Sequence, residues 1–313
     1  MQARLAGIPG LTLIVNPLLS QYTRFGVGGP ARLLVDAPTE EALVAALALM
    51  RECGDSFVVI GGGSNLVASD DGYSGAVLRY TDSRILIEGT RVNAAAGAVL
   101  QDVVDTTIRH GLRGVDTMTG IPGWVGGAVY GNAGAYGHSI HERVVRVRFF
   151  DGAMIREIEN KECEFDYRES IFKRRKDWIV LSVLLQLEAA DAAELKASAD
   201  AILKIRNEKY PPTMRCAGSI FKNLFFDKLP AAVQAQIPAK LVREGKLPSA
   251  YLLEQSGAKG LVNGGVRVAE YHANLIYNQG TGTATEIRDL IADLKRRVSE
   301  RFGVELEEEV QYL

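Results

Sequence analysis

The stretch "GIPGWVGGAVYGNAGAYG", residues 120–137, holds seven glycines and no charged side chain. Glycine has no Cβ, so it adopts positive φ and lets a ligand or a second backbone come into contact. A second glycine turn, "GGGSN" at 61–65, ends the apolar run "SFVVI". Together the two turns could present backbone N–H groups to a diphosphate, the chemistry that bare backbone suits. The alternative for each turn alone is a tight connection between strands. A Rossmann fingerprint is disfavoured, because it needs a helix to open at the glycines. Here "GVGGPARLLVDA" at 26–37 runs into a strand through Pro30, and "GGGSNLVASDDGYSG" into a loop. Metal chemistry is not indicated: Cys53, Cys163 and Cys216 are far apart and the four histidines form no HxxxH or HExxH pair.

The elements that must hold these turns alternate between helix and strand. "PTEEALVAALALMRECG" has Thr39 as N-cap, acids in its first turn and Gly54 as its stop. "RILIEGTRVNAAAG" reads as a hairpin, "VLQDVVDTTIRHG" as a helix stopped by Gly111, and "RVVRVRFFDGAMIREI" as a hairpin with Asp151-Gly152 at its tip. "DWIVLSVLLQLEAA" is a buried strand, and "DAAELKASADAILKIRNEKY" is a helix ended by Pro211-Pro212, the clearest change of segment. "LIYNQG" reads as a strand, and the helix in "TATEIRDLIADLKRRVSERFG" has Thr283 and Glu286 spaced as a capping box with Gly303 past its end. "VELEEEVQYL" closes the chain as a strand, with Val304, Leu306, Val310 and Tyr312 on one face and Glu305, Glu307, Glu309 and Gln311 on the other. The fold class is α+β, in several small lobes.

Composition narrows the function. A chain of 313 residues with 24% charged and 47% hydrophobic residues is that of a globular protein, and a net charge of −2 gives no reason to expect nucleic acid or an anionic membrane as partner. No apolar run approaches the roughly 20 residues that span a bilayer. The N-terminus lacks the pattern of a signal peptide, and a cytoplasmic location is expected.

Seven motifs, "TRFGVGGPA", "VIGGGSNLV", "GIPGWVGGAVYGNAGAYG", "YRESIFK", "AGSIFKN", "HANLIYNQG" and "VELEEEV", stand in the order and approximate spacing of the UDP-N-acetylenolpyruvoylglucosamine reductase (MurB) family. The resemblance runs from roughly Thr23 to Val310 and is closest to the shorter subtype, since 177–206 leaves no room for an extra tyrosine-bearing loop. It implies a monomeric FAD flavoprotein of peptidoglycan synthesis, and so of cell shape and division. The reaction reduces an enolpyruvyl ether to a lactyl ether with NADPH. It also implies a two-lobed FAD cradle of the vanillyl-alcohol-oxidase (PCMH) type, with lobes at 1–80 and 81–205. A third α/β domain at 206–303 binds the UDP-sugar, and a C-terminal strand at 304–313 returns to the active site.

By this resemblance the cofactor contacts are Gly61, Gly62, Gly63, Ser64 and Asn65 from the first turn, and Gly120, Pro122, Gly126, Gly127 and Ala133 from the second. Ser64 and Asn65 add side-chain hydrogen bonds. Tyr136, Asn223 and His272 match substrate-side positions, although the histidine could equally be a hydrogen-bonded structural residue. Arg206 and Lys209 resemble the basic residues that meet the UDP diphosphate. A hydride arriving at C3 of an enolpyruvyl group leaves negative charge on C2, spread into the carboxylate as an enolate. The site therefore needs a cation or hydrogen-bond donors there, and an acid to protonate C2. Arg168 in "DYRES" matches the family's catalytic arginine, and its fork of donors suits a planar enolate. Read locally, it is a surface ion pair with Asp166 or Glu169. Ser219 matches the proton donor and needs polarising neighbours; read locally, it is a turn serine bonded to its own backbone. Glu309 matches the family's active-site glutamate, with Glu308 where many relatives have proline. The segment after Asn223, "LFFDKLPAAVQAQIPAKLVREGKLPSAYLLEQSGAKG", is longer than the family pattern leads one to expect, by a small helical insertion.

Two other classes are weighed against this reading. A flavin oxidase of the vanillyl-alcohol type would use oxygen and often hold its flavin covalently, with His138 and His141 the nearest candidates for the bond. A non-catalytic nucleotide-sugar binder would not need Arg168, Ser219 and Glu309.

Overall fold

The computed structural model describes all 313 residues, which fall into two compact units. The first comprises residues 1–17, 31–63 and 73–208; the second comprises 18–30, 64–72 and 209–313. Residues 18–30 and 64–72, expected from the sequence in the first lobe, pack instead with the C-terminal part of the chain.

In the first unit, strands Ala31–Ala37, Tyr73–Tyr80 and Phe57–Ile60 are parallel, with Thr12–Val15 added antiparallel at one edge. Helix Glu40–Glu52 links two of them. Thr39 caps it by accepting from the Ala42 amide at 3.1 Å, and its apolar stripe Leu43, Leu47 and Met50 is buried together with Leu33, Val35 and Leu78. The second sheet of this unit is antiparallel, in the order Ile155–Glu159, Val144–Phe150, Ile179–Gln186, Arg91–Ala95, Ile85–Glu88. Its Asp151-Gly152 hairpin tip has Gly152 at φ +98°. Helix Leu100–Arg109 buries Leu100, Val103, Val104, Thr107 and Ile108, the i, i+3, i+4 face of an amphipathic helix. Phe149 stacks on Trp178 at 4.4 Å and meets Phe172 edge-on at 5.5 Å, closing this core under the five-stranded sheet.

In the second unit, strands Val262–Asn263, Val266–Ala269 and His272–Asn278 form an antiparallel sheet. Helix Ala284–Phe302 has both hydrogen bonds of the Thr283/Glu286 capping box and ends on Gly303 at φ +62°. Its buried face, Ile287, Leu290, Ile291, Leu294 and Val298, shares a core with Phe25, Val27, Ile220, Phe221 and Leu275. That shared core is why 18–30 belongs here. Gly29 is a packing residue, since a Cβ on it would sit 2.1 Å from the Asp70 carbonyl oxygen.

The segment after Asn223 is also tied down. Leu224–Phe225 pairs with Lys246–Leu247, and Leu229, Val233 and Ile237 are buried in the same core, with short helices at Ala231–Gln234 and Ser249–Gln255. The C-terminal strand needs correction, because only Gln311–Tyr312 is strand, pairing in parallel with Leu66–Val67. Upstream, 304–310 meets 220–222 in one isolated antiparallel bridge, Phe221 opposite Glu308: the Lys222 amide donates to Glu307 O at 2.9 Å and the Glu309 amide to Ile220 O at 2.7 Å. Val304, Leu306 and Val310 are buried as the alternation requires, but Tyr312 is exposed.

Candidate active site

The first unit brings its glycine segments together. A Cβ on Gly62 would meet the Trp124 ring at 3.0 Å, so the first turn lies directly against the second stretch, and Trp124 in turn lies under the Arg79 guanidinium. The amides of Gly62 and Gly63 donate to no group of the protein, and neither do those of Ser64 and Asn65, which follow in the chain and belong to the second unit. Unpaired backbone N–H groups of this kind are donors that an anion can take.

The second stretch behaves differently. Residues Val125–Tyr130 form a short helix rather than a loop. The Gly126 amide is spent on Ala96 O at 2.8 Å, and a Cβ there would sit 2.9 Å from the Ala96 Cβ. The Gly120 amide donates to Gln101 Oε1 at 2.7 Å, and the Ala133 amide to Ala128 O at 2.8 Å. These three residues therefore shape the stretch and have no amide left for a phosphate. Pro122 lies in the turn between Gly120 (φ +77°) and Gly123 (φ +113°). Gly127, like Gly61, is the exception: a Cβ at either position would meet nothing within 4 Å.

Beyond the helix, Gly134–Ala135 pairs with His138–Ser139 around a two-residue tip, Tyr136 and Gly137, both at positive φ. That is the primed hairpin geometry, and a tyrosine adopts it at some cost in strain. Tyr136 stands half exposed at the tip. Arg168, itself at φ +58°, reaches back to this segment and donates from Nη2 to Gly134 O at 2.8 Å. Glu169, one candidate for a local ion pair, is engaged by Lys173 at 2.8 Å. His138 bonds Glu142 at 2.9 Å and His141 bonds Ser139 at 2.7 Å. Arg206, in the same unit, lays its side chain beside Gly120, where an added Cβ would meet Arg206 Cδ at 3.0 Å.

The second unit holds the proton-handling candidates. Ser219 follows Gly218 at φ +79°, and its hydroxyl lies 3.3 Å from that of Tyr210, a partner the sequence reading did not single out. Glu309 is bonded through its amide to Ile220, one residue past Ser219, and through its carbonyl to Asn65 Nδ2 at 2.8 Å. The Asn65 side-chain donor expected to serve the cofactor thus meets Glu309, while Asn65 Oδ1 is buried without a partner. Lys222 was also missed. It is buried against Glu307, Nζ to Oε1 2.5 Å, and the signal for it was a lysine inside the apolar "SIFKN".

Lys209 is exposed with its ammonium 5.2 Å from the Tyr210 ring, and Asn223 is exposed. His272 lies beside the same tyrosine, with ring centres 6.2 Å apart. Its Nδ1 accepts from the Asn274 amide at 3.1 Å, which leaves the ring proton on Nε2. Burial, then the charge of Lys209, pushes its pKa down to about 4, so this imidazole is neutral at pH 7.

Residues 31–154 match the FAD binding domain family, which places the protein among FAD-binding proteins. Residues 210–313 match the C-terminal domain of UDP-N-acetylenolpyruvoylglucosamine reductase. The chain is 58% identical to the UDP-N-acetylenolpyruvoylglucosamine reductase of Solibacter usitatus over 99% of both sequences, and 35% identical to that of Clostridium perfringens over 96% of this chain and 93% of the other. The crystal structure of the Thermus caldophilus reductase superposes with a TM-score of 0.75 at 28% identity, covering 96% of this chain and 98% of that one. The protein therefore belongs to the UDP-N-acetylenolpyruvoylglucosamine reductase family.

Proposed function

We propose that this protein reduces UDP-N-acetylglucosamine enolpyruvate to UDP-N-acetylmuramate with NADPH, through FAD, in peptidoglycan precursor synthesis. The observation that carries this reading is the end-to-end 58% identity to a reductase of that name. Within the first unit, the open amides of Gly62 and Gly63 and the unfilled space at Gly61 and Gly127 fit a bound dinucleotide, whose phosphates take N–H donors. When bound, FAD carries the hydride from NADPH to C3 of the enolpyruvyl group.

The protein's own residues handle charge and proton. Arg168 is assigned the negative charge that develops over C2 and the adjacent carboxylate; a delocalised guanidinium meets a planar enolate through two donors, which a lysine cannot do. Ser219 is assigned the proton for C2. A serine hydroxyl is a weak acid, and the Tyr210 hydroxyl at 3.3 Å is the neighbour that polarises it and replaces its proton. Glu309 is assigned to the same proton path, and its amide bond to Ile220 O holds its backbone beside the residue that follows Ser219. Lys209, exposed and cationic, suits the substrate diphosphate, with Tyr136, Arg206, Asn223 and the neutral His272 as further substrate-side groups. We read the enzyme as a cytoplasmic monomer serving cell shape and division.

The test is product analysis. Purified protein given NADPH and the enolpyruvyl UDP-sugar should yield a product heavier by two hydrogens, in step with NADPH consumed. NADPH oxidation that ignores the sugar and yields hydrogen peroxide would instead make it an oxidase.

A further inference from the structure

Glu309 sits where three segments cross. Its amide donates to Ile220 O at 2.7 Å and its carbonyl accepts from Asn65 Nδ2 at 2.8 Å, a contact between residues 244 positions apart. The main chain of Asn65 holds the next stretch as well: the Gln311 amide donates to Asn65 O at 3.0 Å, Gln311–Tyr312 runs parallel to Leu66–Val67, and the Ser69 amide donates to Leu313 O at 2.6 Å. One residue of the glycine turn therefore grips the C-terminal tail on both sides of the Glu309–Val310 step.

The remaining atom of that side chain is unusual. Oδ1 is buried and accepts from nothing in the protein, although a buried carbonyl oxygen left unpaired costs stability. As an acceptor it can be satisfied only by an O–H or N–H donor. Phosphate oxygens cannot serve, so the diphosphate belongs to the open amides of 62–65 and the amide oxygen needs a different part of the ligand.

We infer that Asn65 is a positioning residue that couples occupancy of the cofactor turn to the placement of Glu309: Nδ2 holds the Glu309 carbonyl while Oδ1 accepts from a hydroxyl or ring N–H of the bound dinucleotide. This rests on the reading of Glu309 as part of the proton path. The amide is planar, so its two ends turn together. With Oδ1 unmet, rotation of the side chain breaks one hydrogen bond and frees the Glu309 carbonyl; with Oδ1 met, rotation breaks two. The tail around Glu309 is therefore held more tightly in the loaded protein.

The test is amide hydrogen exchange on the full chain, stripped of FAD and then reloaded at saturating FAD. In the wild type, amides of 309–313 should exchange about 5–10-fold slower once FAD is present, the factor that one net hydrogen bond gives. In Asn65→Ala the same amides should exchange alike with and without FAD, while helix Ala284–Phe302 stays unchanged. A wild-type tail indifferent to FAD, or an Asn65→Ala tail that still responds, overturns the proposal. If Asn65→Ala does not hold FAD, Asn65→Asp carries the comparison, since it keeps an acceptor oxygen and loses the donor. Loaded Asn65→Asp should show the fast-exchanging tail, and oxidation of its reduced flavin by substrate should slow about 10-fold or more. Its reduction by NADPH should slow by a clearly smaller factor. Equal slowing of both half-reactions overturns the positioning role. Glu309→Gln measured alongside separates the two readings: a wild-type rate there removes Glu309 from the proton path, while the exchange data still decide the coupling.

Discussion

Gly126 and Gly127 are neighbours in one short helix, and the structure predicts opposite phenotypes for them. A Cβ at Gly126 would lie 2.9 Å from the Ala96 Cβ and 3.2 Å from the Ala96 carbonyl oxygen, which itself accepts from the Gly126 amide. Neither atom can move without pulling on the strand Arg91–Ala95 that precedes it. Gly126→Ala should therefore cost about 1–3 kcal/mol of stability, the usual cost of overpacking. At roughly 2–4 °C per kcal/mol for a unit of this size, that is a fall of about 2–12 °C in the Tm of the flavin-free protein. Gly127 has nothing within 4 Å of its Cβ position. Gly127→Ala should leave the flavin-free Tm unchanged or raise it, because alanine is favoured over glycine inside a helix by about 0.5–1 kcal/mol. Yet the space it fills is the space assigned to FAD, so Gly127→Val should weaken FAD binding at least ~10-fold, or about 1.4 kcal/mol. Thermal melts of stripped protein and quenching of free FAD fluorescence on titration read the two quantities separately. A Gly127→Val protein that binds FAD as tightly as wild type would refute the assignment of this glycine to the cofactor. A Gly126→Ala protein with unchanged Tm would refute the packing argument.

Further outcomes follow from the second unit. Ser219→Ala should accept hydride from NADPH at a near-normal rate and lose about 10²–10⁴-fold in the substrate half-reaction, the range for a positioned general acid. Tyr210→Phe should lose less, about 3–10-fold in the same half-reaction, as expected for one hydrogen bond to the serine; equal effects on both half-reactions would make Ser219 a turn residue. Lys209→Ala should raise the substrate KM with little change in kcat. Arg206→Ala is the poorer probe, since its side chain also packs beside Gly120. His272, with its pKa pushed down to about 4, is neutral at working pH, so His272→Gln should leave the acid limb of the kcat/KM profile in place. For stability the sign is fixed. The unfolded chain takes the proton first, so the histidine's contribution is present above about pH 6.5 and is lost as pH falls toward 4. His272→Gln should flatten that part of the stability curve, and an unchanged curve in urea melts would contradict the depressed pKa.

Local chemistry made much of this protein readable from its sequence. The Thr39 cap, the Thr283/Glu286 box, the Gly303 stop and the Asp151-Gly152 hairpin are interactions within a few residues, and each is in place. Long-range partners were not readable. Nothing local says that Asn65 meets Glu309, that 18–30 packs with the C-terminal helix, or that Tyr210 faces Ser219. The tail misled for a related reason. Its alternation of valine, leucine and glutamate is that of a strand, and its apolar side is buried, but its backbone meets 220–222 in one isolated bridge rather than a ladder. Composition also could not divide the glycines into those with open amides, Gly62 and Gly63, and those such as Gly126 that are crowded by another strand.

The central claim is that this chain moves a hydride from NADPH to an enolpyruvyl UDP-sugar through a tightly held but non-covalent FAD. The most direct measurement is the visible spectrum of the purified protein under strict anaerobiosis, first with NADPH and then with the sugar. The account predicts a yellow protein whose flavin band bleaches with NADPH and returns when the enolpyruvyl UDP-sugar is added, with the colour leaving the protein on acid denaturation. A band that stays bleached with the sugar and returns only when oxygen is admitted would contradict it.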